Sequence, residues 1–160
     1  MPNPTKFSEP IINSALSVLQ ANLGAALAAI ASEIGDGVPL ATPAIVAGYR
    51  DPSLRQALPF LSVWVEKVTL QKDGLGASWA THVHELRIQV WVLGENEDSL
   101  EKQLERYRRA IWDVMWQNQT LGGSCAQLIL TASKRLWSTG SAKLRGVEWM
   151  CEATRTDAAG

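Results

Sequence analysis

The stretch His84–Gly94 (HELRIQVWVLG), with Asp98–Asn118 (DSLEKQLERYRRAIWDVMWQN) just after it, decides the fold. In the first run the even positions from Leu86 to Val92 are apolar, and the odd positions from Glu85 to Trp91 are polar apart from Trp91. This period of two predicts a half-buried strand whose even positions face the core. In the second run apolar residues recur every three or four positions, which predicts an amphipathic helix. Its apolar face consists of Leu100, Leu104, Tyr107, Ile111 and Val114.

The boundary between these two elements is acidic and carries helix-start signals. Asp98 is the predicted N-cap, and Glu101, three residues later, is its predicted capping-box partner. Acidic residues come early in the helix and basic residues later, an order that suits the helix dipole. The basic trio Arg106, Arg108 and Arg109 is interpreted as a solvated helix face.

An earlier helix is predicted from Pro10 to about Ile34, with proline in its first turn and Ser8 as the candidate cap. Gly35 and Gly37 follow it and are expected to end it. Its polar face has few Lys and Arg residues, unlike that of a membrane-surface helix, so we expect it to pack on a core. Its apolar stripe consists of Ile12, Leu16, Leu19, Leu23, Leu27, Ile30 and Ile34, with Ala15 and Ala26 beside it.

One expected strand of the sheet and one candidate edge strand precede the central strand. Pro59–Leu70 is apolar on both faces, which we interpret as cover by a helix on one side and by another subunit on the other. Ala44–Ala47 is a candidate short edge strand. Residues 71–81 are predicted to form a glycine-bearing loop whose apolar residues Leu75 and Trp79 suit docking to a partner. The alternative is a loop that folds back on its own sheet.

The C-terminal part predicts a β-hairpin. Apolar residues fall on even positions in 128–136 and on odd positions in 147–153. Opposite parities require an even-length connection if no bulge intervenes, so a two-residue turn at Thr139-Gly140 is predicted. The same parity places Cys125 and Cys151 on opposite faces. The outer face of the hairpin is expected to show Thr131, Ser133, Arg135, Glu148 and Glu152.

The predicted fold class is α+β: a four-stranded, mainly antiparallel sheet with two helices packed on one face, in the order α-β-β-α-β-β. The other face of the sheet is expected to be solvated or to form an interface. Residues 1–9 are predicted to be an N-terminal arm, residues 10–155 a single domain and residues 156–160 a C-terminal tail.

Composition narrows the classes of function. A net charge of −1 argues against a dedicated nucleic-acid binder. No apolar run reaches about 18 residues and the N-terminus lacks a signal pattern, so we expect a protein made in the cytoplasm. Two cysteines are too few for a disulfide framework. The seven tryptophans either fill the core or mark protein–protein contacts, where tryptophan is enriched.

The sequence offers little catalytic chemistry. His82 and His84 share one face of the central strand, near Glu85, but a catalytic zinc requires a third protein ligand, and these are the two histidines of the chain. The sequence has neither a nucleophile motif nor a phosphate-binding loop. We therefore expect a protein that is not an enzyme, with no catalytic residues, no metal and no cofactor.

Residues 10–155 also carry a loose signature of short motifs. They are Gly48-Tyr49 in a proline-bearing loop, Gln89–Gly94 at the end of a strand pair, Arg109–Ile111 in the helix, Asn118–Gly123 after it, and Glu152–Thr154 at the end of the hairpin. In this order they resemble the tail-terminator and tail-completion proteins of long-tailed bacteriophages and their neighbours in the head–tail connector. The seven tryptophans and the long segment 38–58 depart from that pattern.

The resemblance implies a structural virion protein. Its expected form is a homo-oligomer, a hexameric ring that terminates the tail tube, binds the tail tube protein and joins a neck or connector protein. Assembly in the host cytoplasm and a final place in the tail or neck of the virion are implied, with no membrane and with DNA passing through the lumen without specific binding. One alternative is another neck or head-completion connector protein. An alternative from a different class is a small metal- or ligand-binding α+β domain that uses His82 and His84.

The candidate contacts with other subunits or partners lie on the expected open face of the sheet and on the predicted loop. They are Trp64, Leu75, Trp79, Trp91, Arg135 and Glu148.

Overall fold

The computed structural model describes residues 8–52, 58–72, 79–94, 96–138 and 143–158. Within these residues two helices and five strands follow one another in the order α-β-β-β-α-β-β. They are α1 (Glu9–Ile34), β1 (Ala44–Ala47), β2 (Phe60–Lys72), β3 (Trp79–Leu93), α2 (Glu97–Trp116), β4 (Gln127–Trp137) and β5 (Leu144–Ala158).

The strands form one mixed sheet in the order β1-β2-β3-β5-β4. β1 runs parallel to β2, and the other neighbours are antiparallel. The α+β class with two helices is confirmed, and so is the short edge strand at Ala44–Ala47. The prediction of four strands is wrong, because this edge strand joins the sheet as a fifth member. Residues of both helices share one core with β3, so both helices pack on the same face of the sheet.

α1 begins one residue before its predicted start and ends at its predicted end. Ser8 is the N-cap, but its hydroxyl makes no capping hydrogen bond and lies instead 3.0 Å from Nδ1 of His84. Gly35 closes the helix with a φ of 63°, a left-handed conformation that glycine adopts without steric strain. The buried stripe starts one residue before Ile12, and Ile34 is exposed. The buried residues are Ile11, Ala15, Leu19, Leu23, Leu27 and Ile30.

By length and composition α1 meets the criterion for a membrane-spanning helix. Its buried stripe packs in the same core as α2 and the sheet, which is the packing expected of the core helix of a globular domain.

α2 uses a different cap from the predicted one. The side-chain oxygen of Asn96 accepts a hydrogen bond of 2.8 Å from the backbone N–H of Ser99, so Asp98 lies in the first turn rather than at the cap. The predicted apolar face is buried. The interpretation of Arg106 as solvated is wrong, because it is buried and both its terminal nitrogens bind the carboxylate of Asp36. This pair ties α2 to the segment that follows α1.

β3 alternates as its sequence predicts on one face only. Leu86, Ile88 and Val90 face the helices and are buried. The odd positions face the side of the sheet without helices, here called the helix-free face. The expectation that this side is solvated is wrong at Gln89, which is buried, and Trp91 on the same side is buried as well. Side chains of neighbouring strands pack against both residues.

A β-bulge changes the C-terminal hairpin. β5 keeps its predicted parity, with Val147 and Cys151 in the core. In β4 the register shifts between Leu130 and Ala132, so later positions of β4 exchange faces. Arg135 consequently pairs with Val147 on the helix side, and its predicted place on the outer face is wrong.

The predicted two-residue turn at Thr139-Gly140 lies outside the described residues. On either side of it, Trp137 of β4 pairs with Arg145 of β5. The prediction that Cys125 and Cys151 face opposite sides is wrong, since both are buried as free thiols in the core that the helices cover.

The loop predicted at residues 71–81 is shorter than expected. β2 continues to Lys72 and β3 begins at Trp79, which leaves residues 73–78 outside the described part of the chain. At the termini, Glu9 belongs to α1, and β5 continues to Ala158, opposite Trp79. Residues 1–7 and 159–160 of the predicted arm and tail lie outside the described residues.

Candidate functional site

Glu148 is the centre of a polar cluster on the helix-free face. It is only 3% exposed. Its carboxylate accepts hydrogen bonds from Nε2 of Gln89 at 2.7 Å and from Nη1 of Arg87 at 3.0 Å, and Nζ of Lys134 lies 3.5 Å away. Arg87 also binds Glu85 at 3.2 Å. A carboxylate with so little access to water is tolerated here because two cations and an amide replace its hydration.

An apolar cluster adjoins this polar one. The indole N–H of Trp91 donates a hydrogen bond of 3.1 Å to Oε1 of Gln89, which joins the two clusters. Trp91 is 5% exposed, so the isolated chain presents little of this ring to a partner. The cluster consists of Phe60, Trp91 and Leu144, with Leu58 and Leu136 packed against them.

Trp64 lies nearer the edge of the helix-free face and is half-buried. Its indole N–H donates a hydrogen bond of 2.8 Å to Glu66. Its ring meets the ring of Tyr49 edge-on, with 5.4 Å between the ring centroids. Tyr49 is exposed, so this aromatic pair offers apolar area at the β1–β2 side of the sheet.

A second aromatic surface, here called the tryptophan flank, consists of Trp112, Trp116 and Trp149. The rings of Trp112 and Trp116 stack 5.2 Å apart, and Trp112 also contacts Trp149 of β5 at 5.5 Å. Trp112 and Trp116 are exposed. Arg135 of β4 binds Glu105 at 2.6 Å, and Glu105 lies on the same side of α2 as Trp112. The tryptophan flank therefore lies on the β4 side of α2.

Towards its C-terminal end β2 has little cover on either face. The side chains from Glu66 to Leu70 are all exposed. Two of them are apolar and lie on the helix side, since Val68 pairs with the buried His84 and Leu70 pairs with the buried His82. This part of β2 therefore carries an apolar strip, here called the β2 strip, formed by Val68 and Leu70.

The two histidines lie on the helix side of β3. Their rings are almost parallel, with 6.0 Å between the centroids, and the Ser8 hydroxyl lies against His84. In the described part of the chain no group of three His, Cys, Asp or Glu side chains is placed to hold a metal ion. Burial raises the pKa of the Cys151 thiol to about 12, so this thiol is a poor nucleophile near neutral pH.

The predicted contact residues do not form one site. Trp64, Trp91 and Glu148 share the helix-free face, whereas Arg135 lies on the helix side and binds Glu101 and Glu105 of α2, each at 2.6 Å. Their roles as partner contacts stay predictions.

The remaining two candidates lie at or beyond the ends of described strands. Trp79 is the first residue of β3, where its backbone pairs with Ala158. Leu75 is outside the described residues. Docking of a partner by Trp79 stays a prediction, and we expect Trp79→Ala to leave the monomer folded and to impair assembly.

The tryptophan flank and the β2 strip were not among the predicted contacts. A signal for the flank is present in the sequence, because Trp112 and Trp116 are four residues apart and lie off the apolar face of α2. The β2 strip carries no such signal, since a strand that is apolar on both faces does not show where its cover ends.

Comparison with known proteins adds a likeness to solved structures. No protein-family model matches the sequence, and no curated protein matches it. Among solved structures, the chain is similar to a chain described as "Virion of native gene transfer agent (GTA) particle". The TM-score is 0.43 and the identity 18%, over 87% of this chain and 95% of that chain.

Proposed function

We propose that this chain is a structural virion protein of the phage head–tail junction, a tail-terminator subunit that assembles as a ring on the end of the tail tube. The motifs of residues 10–155 that resemble tail-terminator and tail-completion proteins support the proposal, and so does the distribution of exposed apolar side chains. Another neck or head-completion protein is the nearest alternative, and it differs in its neighbours rather than in its chemistry.

The observation that carries the proposal is exposed apolar surface near both ends of an open sheet. Leu70 of β2 is 62% exposed, and Trp116, on the β4 side of α2, is 56% exposed. Apolar and aromatic side chains in such positions are typical of protein–protein contacts. Two different contact surfaces on opposite sides of one subunit suit head-to-tail assembly, which forms a ring when the rotation between neighbours closes.

The charge of the chain suits a ring around DNA. The net charge is −1, and several arginines are held by carboxylates, such as Arg106 by Asp36 and Arg109 by Glu33. Affinity for nucleic-acid phosphates comes from accumulated free Lys and Arg. A ring of such subunits would let DNA pass with little retention.

Tail tubes provide the direct test. When the chain is added to polymerising tail tube protein of the same phage, we expect elongation to stop and a ring to appear at one tube end in electron micrographs. Light scattering on the isolated rings should give a whole-number multiple, greater than one, of the 17.5 kDa subunit mass. Binding to capsid portals but not to tubes would favour the head-completion alternative. A monomer that binds neither, and instead holds a metal through His82 and His84, would contradict the proposal.

A further inference from the structure

We propose that neighbouring copies of this chain join edge to edge. The outer edge of β4 in one copy would pair antiparallel with the free part of β2, Trp64–Lys72, in the next copy. The tryptophan flank would then cover the β2 strip. This inference rests on the self-assembly in the proposed function and names the surfaces that carry it.

Both edges are long enough for a strand to add. β4 has 11 residues and pairs on one side with β5, and no described strand pairs with its other side. β2 has 13 residues, and β1 pairs with four of them, Phe60–Val63. Along Trp64–Lys72 no strand in the described part of the chain occupies the outer edge. Unpaired strand edges present rows of N–H and C=O groups that readily accept another strand.

The strand directions favour this junction. β2 is antiparallel to β3, β3 to β5, and β5 to β4, so β4 runs opposite to β2. A second copy placed beside β4 in the same orientation therefore brings its β2 antiparallel to β4. Antiparallel pairing is slightly more stable per residue than parallel pairing.

Side chains on the helix side of this junction are complementary. Val68 and Leu70 lie on the helix side of β2, and Trp112 and Trp116 lie on the helix side of the sheet next to β4. An incoming β2 would place its apolar pair beneath these rings, where water is excluded from both. Burial of exposed leucine and valine side chains would stabilise this contact.

The main competing arrangement is a two-fold contact between two β4 edges. β4 contains Lys134 and no acidic residue, and its Arg135 is already held by two carboxylates of α2. This arrangement would therefore bring Lys134 to both sides of the junction with no acidic residue in the facing strand. It would also leave the β2 strip exposed. The β2 segment contains Glu66 as well as Lys67, which gives Lys134 an acidic group within the neighbouring strand.

Two substitutions test the surfaces, with a matched control. Leu70→Lys places a charge on the β2 strip, and Trp116→Ala removes a ring of the tryptophan flank. Leu93→Lys is the control, because Leu93 is 56% exposed and ends the central strand β3, which is paired on both sides. Circular dichroism would show that each variant is folded. We expect Leu70→Lys and Trp116→Ala each to raise the dissociation constant between subunits at least tenfold, and Leu93→Lys to change it less than twofold.

Cross-linking tests the pairing itself. Thr69 and Ala132 are both exposed and lie on the helix-free side of β2 and β4, and the native cysteines are buried. With a short bis-maleimide, the double variant Thr69→Cys/Ala132→Cys should give a ladder of covalent multimers. Each single variant should stay uncross-linked.

The outcomes separate this inference from the proposed function. A cross-linked dimer of the Ala132→Cys variant alone would show the two-fold β4 contact and overturn the inference. If the Leu70→Lys and Trp116→Ala variants formed rings as readily as the wild type, the inference would also be overturned, while the tail-terminator role would stand. Edge-paired multimers that fail to cap tail tubes would support the inference and reject the terminator role. A wild-type chain that stays monomeric with and without tubes would reject both.

Discussion

The indole ring of Trp91 lies directly against the backbone of Gly146 in the neighbouring strand. A Cβ atom on residue 146 would come within 2.9 Å of Cδ2 of the ring and within 3.0 Å of the Val90 carbonyl oxygen. Glycine is therefore required here by space, since the close approach leaves no room for a side chain. This contact closes the apolar cluster of the helix-free face.

We predict that Gly146→Ala destabilises the protein by about 1–3 kcal/mol, the usual cost of forcing extra atoms into a packed site. Urea unfolding followed by tryptophan fluorescence would measure the change. Trp91→Leu should make the alanine more tolerable, so the double variant should lose less than the sum of the two single losses. The control is Gly24→Ala in α1, where the nearest atom would be 3.4 Å from the new Cβ and helix propensity improves. An equal loss from Gly24→Ala would contradict the steric explanation.

Removal of the Glu148 carboxylate should lower the stability of the subunit itself rather than weaken a contact with a partner. We expect Glu148→Ala to cost about 1–3 kcal/mol, because Gln89 and the partly buried Arg87 would lose an acceptor. Lys134→Ala should cost much less, since Lys134 is 60% exposed and lies further from the carboxylate. Denaturant titration of both variants measures this difference. A Glu148→Ala protein of unchanged stability that fails to assemble would show that Glu148 is a partner contact instead.

The ion pair between Asp36 and Arg106 is expected to make the stability of the fold decrease at acidic pH. Hydrogen bonds from the Arg106 guanidinium lower the pKa of Asp36 from 3.8 to about 2. A carboxyl whose pKa is lower in the folded state stabilises the fold above its unfolded pKa, and that contribution is lost as the pH falls through about 4 towards about 2. Asp36→Asn should lower stability at neutral pH and reduce the further loss on acidification. Urea unfolding at pH values of about 6 and 3 would measure it.

Glu33→Gln is the matched control for Asp36. Glu33 binds Arg109 from a position where both side chains are largely exposed, so we expect a smaller effect. If Glu33→Gln changed the acid response as much as Asp36→Asn, the special role of the Asp36–Arg106 pair would be wrong.

Arg135 is predicted to stabilise its own subunit rather than a neighbour. Its guanidinium bridges Glu101 and Glu105, and these bonds attach β4 to α2. We expect Arg135→Gln to lower the free energy of unfolding by up to about 1 kcal/mol, as for other partly exposed ion pairs, and to leave subunit association unchanged. Thermal unfolding and light scattering on the same sample test both parts. Loss of association at unchanged stability would restore Arg135 as a subunit contact.

Much of the architecture could be read from local pattern. Periodicity located both helices and the core side of β3, and Pro10 and Gly35 marked the ends of α1 to within a residue. These signals are local, since they depend on which side chains repeat at the period of a helix or a strand. The stripe of α1 was misplaced by one residue at its start because Ile11 and Ile12 are both apolar, and only the packing against the sheet selects between them.

The candidate contacts were predicted less well, and the bulge in β4 shows why. One extra residue near Thr131 moved Arg135 from the expected outer face to the helix side, where α2 supplies two carboxylates. A bulge alters pairing without altering composition, so alternation alone does not reveal it. Trp91 was expected to be accessible because the alternation places it on the polar face of β3. In the structure Phe60 and Leu144 cover it there.

The sequence by itself determined the fold class of this protein, with two amphipathic helices and strands of alternating polarity. It did so because helix and strand periods are properties of neighbouring residues. The tertiary structure alone decided which apolar residues remain outside. It buried Trp91 over Gly146, and it left Leu70 and Trp116 exposed beside two open strand edges. Exposure depends on which elements cover a position, and residues distant in the chain supply that cover.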